Sequence, residues 1–429
     1  METTIIKRVM IDQEEDLRKL FAEEKIVPRE GSEAVRKNTR LNVANVITGP
    51  RRAGKSILSI LAVEKDNYAY INFEDERLSI KAEELGNVLE AMYSLKGDPK
   101  WLIFDEIQNV PGWEKFISRT THSGKVILTG SNARLLSTEL STFLTGRHID
   151  NVLLPFSFRE YVKREGFEYE NYSTRTVARL KNCLEDYLAN GGFPLAKKLG
   201  TNFLVTLYKD IVERDVINRY KIRKSEEVKS IAKYLISNSA FEFSYNKLKS
   251  IVGIKSVHTV KKYVNYIENA YLLFQVSRFS YKLKEQIIAP KKIYAIDTGL
   301  ANAISFKVAK DLGKTMENAV AIELMRIKNN NASLEFYYWK DYYGREVDFV
   351  IKNANTVLEL IQVCYDMSDA ATLEREITPL LRASDELRCR QLKLISWDHE
   401  ETLTYGKRKI SIVPLWRWLL EESQKSARL

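Results

Sequence analysis

Gly49, Gly54, Lys55 and Ser56 stand at G-x-x-x-x-G-K-S spacing within residues 47–56, ITGPRRAGKS. Glycines at these positions let backbone N–H groups wrap a chain of phosphates, a Lys pairs with the outer phosphates, and a Ser hydroxyl ligates magnesium. The whole turn, Gly49, Pro50, Arg51, Arg52, Ala53, Gly54, Lys55, Ser56 and Ile57, is the expected nucleotide-binding segment, with ATP and Mg2+ as its ligands. Further along, WLIFDEIQNV carries Asp105 and Glu106 directly after the apolar run Trp101 to Phe104. Two acids at the tip of a buried strand suit an Asp that joins Ser56 in holding the metal and a Glu that polarises the attacking water. KVILTGSNARLL then offers Ser131 and Asn132 at the end of another apolar run, where a polar side chain can orient the same water and sense a γ-phosphate.

These residues need a sheet to hold them. LNVANVI before the loop reads as a strand, and SILSILAVEK after it as a helix whose N-terminus faces the phosphates. YAYINFEDERL, a strand ending in Glu74 and Asp75, lies between loop and acids. A strand between those of the phosphate loop and the acids is the arrangement of the nucleotidases that add a catalytic Glu. The fold class expected is α/β, a doubly wound P-loop domain. A chain of 429 residues exceeds one ordinary core, and 45% hydrophobic with 29% charged residues excludes extensive disorder. The net charge of +10 favours polyanions or an anionic surface. Three dispersed cysteines, Cys183, Cys364 and Cys389, indicate neither a disulfide framework nor a zinc site. Without a signal-like N-terminus or a run of about 18 apolar residues, a soluble cytoplasmic protein with no membrane partner is expected.

The ordered pieces ITGPRRAGKS, YINFEDERL, WLIFDEIQNVPGWEKF, VILTGSNARLL and LTGRHIDNVLLPFSFREYV resemble the prokaryotic AAA+ family, of AAA_14 type, whose ATPase module precedes a DUF4143 region. YLANGGFPLA, LYKDIVERDVINRY, IYAIDTGL, MENAVAIEL and YYWKDYYGREVDFVI extend the resemblance over essentially the whole chain. It implies an ATPase. It also places Arg147 where an arginine can reach a γ-phosphate in its own or a neighbouring subunit, so a homo-oligomer stays open. Arg214 is a second candidate for that role, and Arg51 and Arg52 lie near the nucleotide or a neighbour.

Residues 160–225 are helix-like, punctuated by Asn190, Gly191, Gly192 and Pro194, and read as a helical lid. Residues 226–304 then give three amphipathic helices, the last two joined by a short break at Gly253 to Lys255, followed by two strand-like runs around a basic turn, as in a winged helix. On the third helix Val257, Val260, Val264 and Ile267 fall inward. Lys255, His258, Thr259, Lys261 and Lys262 are left outward to meet DNA phosphates, and the wing adds Arg278, Lys282, Lys284, Lys291 and Lys292. Winged helices also dock proteins, so a protein partner is the alternative to DNA.

Residues 305–429 run from the helix TMENAVAIELMRI into three strands, LEFYYWKD, REVDFVIKN and TVLELIQVCYD. Glu317 on the helix and Asp348 on a strand resemble the acids of the PD-(D/E)xK nuclease core, in which acids hold magnesium and a Lys orients water. The expected Glu-x-Lys falls on Gln362, Val363 and Cys364, and Glu359 points to the opposite face of its strand. A nuclease-like fold kept for DNA or partner binding is therefore expected rather than an ATP-dependent nuclease. The chain divides as residues 1–159, P-loop ATPase core; 160–225, lid; 226–304, winged helix; and 305–429, a degenerate restriction-endonuclease-like domain. The expected function is DNA remodelling driven by Mg-ATP; the alternatives are a regulatory ATPase switch binding a protein and an active nuclease.

Overall fold

Short apolar runs, each closed by a polar tip, make the first sheet. β1 (Ala44–Thr48), β2 (Tyr68–Asn72), β3 (Trp101–Asp105), β4 (Lys125–Gly130) and β5 (His148–Val152) pair in parallel in the order β2-β3-β4-β1-β5. This computed structural model describes residues 1–38, 41, 43–132, 144, 146–167, 169, 171–305 and 311–422. The strand between those of the phosphate loop and the acids is β4, whereas YAYIN forms the edge strand β2. The expected intervening strand is thus present, but it is the one that follows the acids in sequence.

Both faces of this sheet are covered, which is why its strands read as nearly continuous apolar runs. Val46, Ile71, Phe104 and Leu128 pack with Ile6, Val9 and Met10 of the helix Thr3–Glu23 and with Val88 and Met92 of the helix Leu85–Lys96. Ile47, Tyr70, Ile103 and Ile127, on the alternate parity, pack with Leu58 of the helix Lys55–Leu61. Since side chains alternate across a strand, Asp105 and Thr129 share the face of Tyr70 and of the helix that starts at Lys55.

The chain forms two compact units: residues 1–155 with Asn269–Tyr271, and residues 156–268 with 272–429. The segments 160–225, 226–304 and 305–429 fall, apart from Asn269–Tyr271, into the second. There the helices Thr174–Asn190 and Ala196–Asp210 are joined through Gly191 and Gly192. This joint interlocks with the DTG of residues 297–299. Asp297 accepts hydrogen bonds from the amides of Gly192 (2.6 Å) and Leu300 (2.8 Å). A Cβ on Gly192 would lie 2.3 Å from the Phe156 carbonyl oxygen, and one on Gly299 would lie 2.1 Å from that of Asn190.

The helices Ser225–Ser237, Tyr245–Val252 and Val257–Asn269 accompany a three-stranded sheet, β6 (Phe241–Phe243), β7 (Leu273–Ser277) and β8 (Lys291–Ala295), in the order β6-β8-β7. Between β7 and β8 the basic turn contains a further short helix, Leu283–Ile288. The helices Leu312–Asn330 and Ala370–Leu387 and six strands follow in the same unit. These are β9 (Leu334–Lys340), β10 (Glu346–Asn353), β11 (Thr356–Cys364), β12 (Leu392–Ser396), β13 (Glu401–Tyr405) and β14 (Arg408–Pro414), ordered β13-β14-β12-β11-β10-β9. Among the described residues no helix is long and apolar enough to cross a membrane.

Candidate nucleotide site and nuclease-like cluster

The phosphate loop is shaped by its neighbours as much as by its own glycines. Gly49 has φ of 149°, and a Cβ there would sit 2.0 Å from the Leu153 carbonyl oxygen, so no other residue fits. Gly54 has φ of 96° and precedes the helix Lys55–Leu61. Beneath the loop the buried Arg29 guanidinium donates to the carbonyls of Ala53 (2.6 Å) and Leu154 (2.5 Å). Nothing in a short motif pointed to Arg29.

Asp105 is fully buried and its carboxylate is surrounded by hydroxyls. Tyr70 Oη donates to one oxygen at 2.6 Å and Thr129 Oγ1 donates to the other, and the nearby Ser56 hydroxyl acts against the upward shift of the Asp105 pKa. Thr129 Oγ1 also accepts the Glu106 amide at 3.0 Å, so one hydroxyl positions both acids. Glu106 itself occupies the left-handed region (φ 51°, ψ 42°), where a non-glycine residue is strained and strain clusters at functional sites. Gln108 donates to its carboxylate. Lys55 Nζ lies 3.3 Å from Glu106 Oε1 and 3.2 Å from the Pro50 carbonyl, with the Lys55 and Glu106 side chains 4% and 10% exposed.

The two carboxyls are driven apart. Burial raises the Asp105 pKa and the neighbouring Glu106 charge adds to it. Burial also opposes ionisation of Glu106, but Lys55 and Arg51 hold it below the usual carboxylate range.

The structure therefore brings together Gly49, Gly54, Lys55, Ser56, Asp105 and Glu106 at the C-terminal ends of β1 and β3. Ser131 and Asn132 follow β4 and are buried (0% and 1% exposed), but the hydroxyl on the acids is Thr129. Thr129 and Tyr70 were legible only in part: both share strand parity with Asp105, but the register that puts them beside it is not written in either segment. The rest of that sensor segment, residues 133–143, lies outside the described residues.

Arg147 is a correction. Its carbonyl accepts the amide of Ala44, the first residue of β1, at 2.9 Å, which places it at the end of the sheet opposite the phosphate loop. Its guanidinium meets the His122 ring instead. It cannot serve the nucleotide site of its own subunit. Arg51 pairs with Glu74, Arg52 is exposed, and Arg214 is exposed beside Asp210.

On the helix Val257–Asn269, Val260, Val264 and Ile267 are buried, while His258, Lys261 and Lys262 are exposed, as is Lys255 just before it. Lys282 and Lys284 are exposed as well. Arg278, before the basic turn, is engaged within the fold: its guanidinium donates to the Lys340 carbonyl at 2.6 Å. Lys291 is half-buried against Ser277. Lys292 is wholly buried, because alternation along β8 puts it on the inner face with Tyr294.

That inner face meets the nuclease-like residues. Lys292 Nζ lies 2.7 Å from Glu317 Oε1, 3.0 Å from Asp348 Oδ1 and 2.5 Å from Glu346 Oε1. Glu317 also accepts from Tyr294 Oη and Lys314 Nζ, both at 2.7 Å. Asp348 Oδ2 accepts the Val363 amide (3.0 Å), and Gln362 accepts the Asp348 amide (3.2 Å) while donating to Glu376 (2.7 Å). Glu317, Asp348 and Gln362 are thus neighbours, as the sequence suggested, around a lysine it assigned to the surface. Glu359 pairs with Lys393 at 2.7 Å and takes no part. The Cys364 thiol, where a nuclease carries Lys, is pushed up to about 11 by burial.

Comparison with known proteins agrees with an AAA-type ATPase domain. Residues 42–162 match the AAA domain family AAA_14, residues 181–311 match the domain of unknown function DUF8612, and residues 312–418 match the domain of unknown function DUF4143. A protein of Methanocaldococcus jannaschii, uncharacterized protein MJ1544, is 36% identical over 88% of this chain and 88% of its own length. An uncharacterized protein of Haemophilus influenzae is 27% identical over 88% and 94%. Among solved structures, the Walker-type ATPase PABY2304 of Pyrococcus abyssi is similar at 17% identity and a TM-score of 0.46, over 66% of this chain and 97% of that one. With its M. jannaschii relative, this chain belongs to the family of AAA-type P-loop ATPases that carry a DUF4143 region.

Proposed function

We propose that this ATPase hydrolyses Mg-ATP at the Lys55–Glu106 site and uses the cycle to bind and remodel duplex or branched DNA. One observation carries the catalytic half: Lys55, a loop lysine that would hold phosphate, is paired with the buried Glu106 at 3.3 Å. Incoming phosphates compete for Lys55 and take the loop amides. Glu106 then loses its cationic partner, and its carboxylate becomes free to accept a proton from water. Thr129 holds the Glu106 backbone and Tyr70 the Asp105 carboxylate, so neither acid has to reorganise. The donors also fit magnesium, a hard cation that takes oxygen ligands: Ser56 and Asp105 would hold it. Bound there, magnesium would neutralise charge developing on the phosphates.

The DNA partner is supported by Lys255, His258, Lys261 and Lys262, exposed together where the opposite face of the helix is core. In a winged helix this is the face that enters the major groove. ATPase rate and binding should be measured with single-stranded, duplex and junction DNA at several salt concentrations. Stimulation by one of them, with affinity falling steeply in salt and the slope flattening by about one per lysine removed in Lys261→Ala and Lys262→Ala, is expected. Neither binding nor stimulation with any of the three would sink the DNA reading. A second reading, a switch that docks a protein, has one observation in its favour: Tyr281, Leu283, Ile287 and Ile288 on the wing are 72%, 69%, 62% and 71% exposed. Salt-insensitive binding of a protein partner, lost in Ile287→Asp, would favour it.

A further inference from the structure

We propose that the Lys292 ammonium is a built-in cation that occupies the place of a divalent metal in the nuclease-like core, making that core a metal-independent ionic joint. The geometry is that of a filled site. An ammonium has three N–H donors, and Lys292 meets three carboxylates, Glu317, Asp348 and Glu346, at 2.7, 3.0 and 2.5 Å. These carboxylates come from the helix Leu312–Asn330 and from β10, the two elements that present the paired acids.

The other lone pairs are taken as well. Lys314 and Tyr294 cover Glu317, the Val363 amide covers the far oxygen of Asp348, and Gln362 turns its carbonyl to the Asp348 amide. A metal entering here would have to displace Lys292, whose side chain is 1% exposed. Moving an unpaired ammonium through apolar surroundings costs more than the site can return. Gln362 stands where the motif has an acid, and its carbonyl accepts the Asp348 amide instead of binding a cation.

Lys292 also explains what the joint connects. It stands on β8, in the sheet of the three-helix segment, and its partners stand in the DUF4143 region. Lys340, from β9, continues the network to Glu242 of β6 (2.7 Å) and to Glu346 (3.3 Å). The winged-helix-like segment and the nuclease-like segment are thereby joined by a network of ion pairs whose centre, Lys292, is buried.

The test uses the full-length chain without nucleotide, titrated with MnCl2 and followed by Mn2+ electron paramagnetic resonance. Wild type and Asp348→Asn are expected to take up the same amount of Mn2+. Lys292→Ala is expected to gain one Mn2+ per chain, accompanied by a rise in melting temperature, and to lose both in the Lys292→Ala/Asp348→Asn double variant. Should Lys292→Ala fold only when Mn2+ is present, that rescue is the same result. Wild-type uptake of a Mn2+ that Asp348→Asn or Glu317→Gln abolishes would overturn the proposal. So would a Lys292→Ala chain that gains no Mn2+, folded or not. Mn2+-dependent DNA cleavage by the wild type that disappears in Lys292→Met would overturn it in a different way, by making Lys292 a lysine of an active nuclease.

Discussion

Replacing Glu106 by Gln keeps the shape of the side chain and removes its charge, and the structure indicates two opposite consequences. Turnover should fall by about 10²- to 10⁴-fold, the usual worth of a general base. ATP should at the same time bind more tightly. Lys55 is paired with Glu106 at 3.3 Å, between side chains 4% and 10% exposed. At an effective dielectric of about 20 the gross attraction at that distance is about 5 kcal/mol, most of it offset by the cost of desolvating both groups. A net of about 1.4 kcal/mol that ATP no longer has to overcome corresponds to about tenfold in Kd. Fluorescent-nucleotide titration gives the affinity and phosphate release gives the rate, with a melting curve to show that the variant is folded. Wild-type turnover would remove Glu106 as the base. A Kd raised tenfold, with turnover lost, would show instead that the Lys55 pairing does not compete with the phosphates.

Tyr70→Phe removes the hydroxyl on Asp105 without changing the packed ring; the concentration of Mg2+ giving half-maximal ATPase should rise several-fold while the limiting rate at saturating Mg2+ changes little, and an unchanged Mg2+ dependence would refute the positioning role. Asp297 is fully buried and burial raises its pKa to about 6, against 3.8 in an unstructured chain. The folded state therefore holds this proton more tightly. The stability it confers is complete below pH 4 and is lost as the pH rises to 6, by about 3 kcal/mol. Denaturant unfolding of Asp297→Asn should lack that component of the pH dependence, so that wild type minus variant falls between pH 4 and pH 6 and is flat above. Gly299→Ala drives a Cβ against the backbone of Asn190 and should cost about 3 kcal/mol or prevent folding, whereas Gly313→Ala, with only ordinary contacts, should be close to neutral.

The nucleotide site was legible because its chemistry is local. A phosphate loop needs its glycines, lysine and serine within one turn, and an acid at a strand tip follows directly from the apolar run that ends there. The AAA_14 and DUF4143 matches agree with what those segments imply. What stayed hidden is what the sheet brings together. Tyr70 reaches Asp105 because β2 and β3 align Asn72 with Asp105, and Thr129 reaches it because β4 lies on the other side. Strand parity alone puts Tyr70, Asp105 and Thr129 on one face; the register decides that they touch. Arg29 is fixed by carbonyls of Ala53 and Leu154, residues 24 and 125 positions away, and no composition or period marks it.

Lys292 shows why basic residues are hard to place from sequence. A lysine or arginine is assigned to the surface by default, since burying it unpaired is prohibitive, and the acids that would make burial tolerable are distant in the chain. For Lys292 they lie 25 and 56 residues on, in another segment. The strand that carries Lys292 did hold a clue, for its alternation puts Lys292 on the side of Tyr294 and away from Lys291, whose side chain is half-buried. Burial of Lys292 does not reduce the net positive surface, because Glu317 and Asp348 are buried with it. The exposed basic side chains of the three-helix segment and its basic turn include Lys255, Lys261, Lys262, Lys282 and Lys284. Electrostatic binding should accordingly respond to those side chains and be indifferent to Arg278 and Lys292, except through loss of the fold.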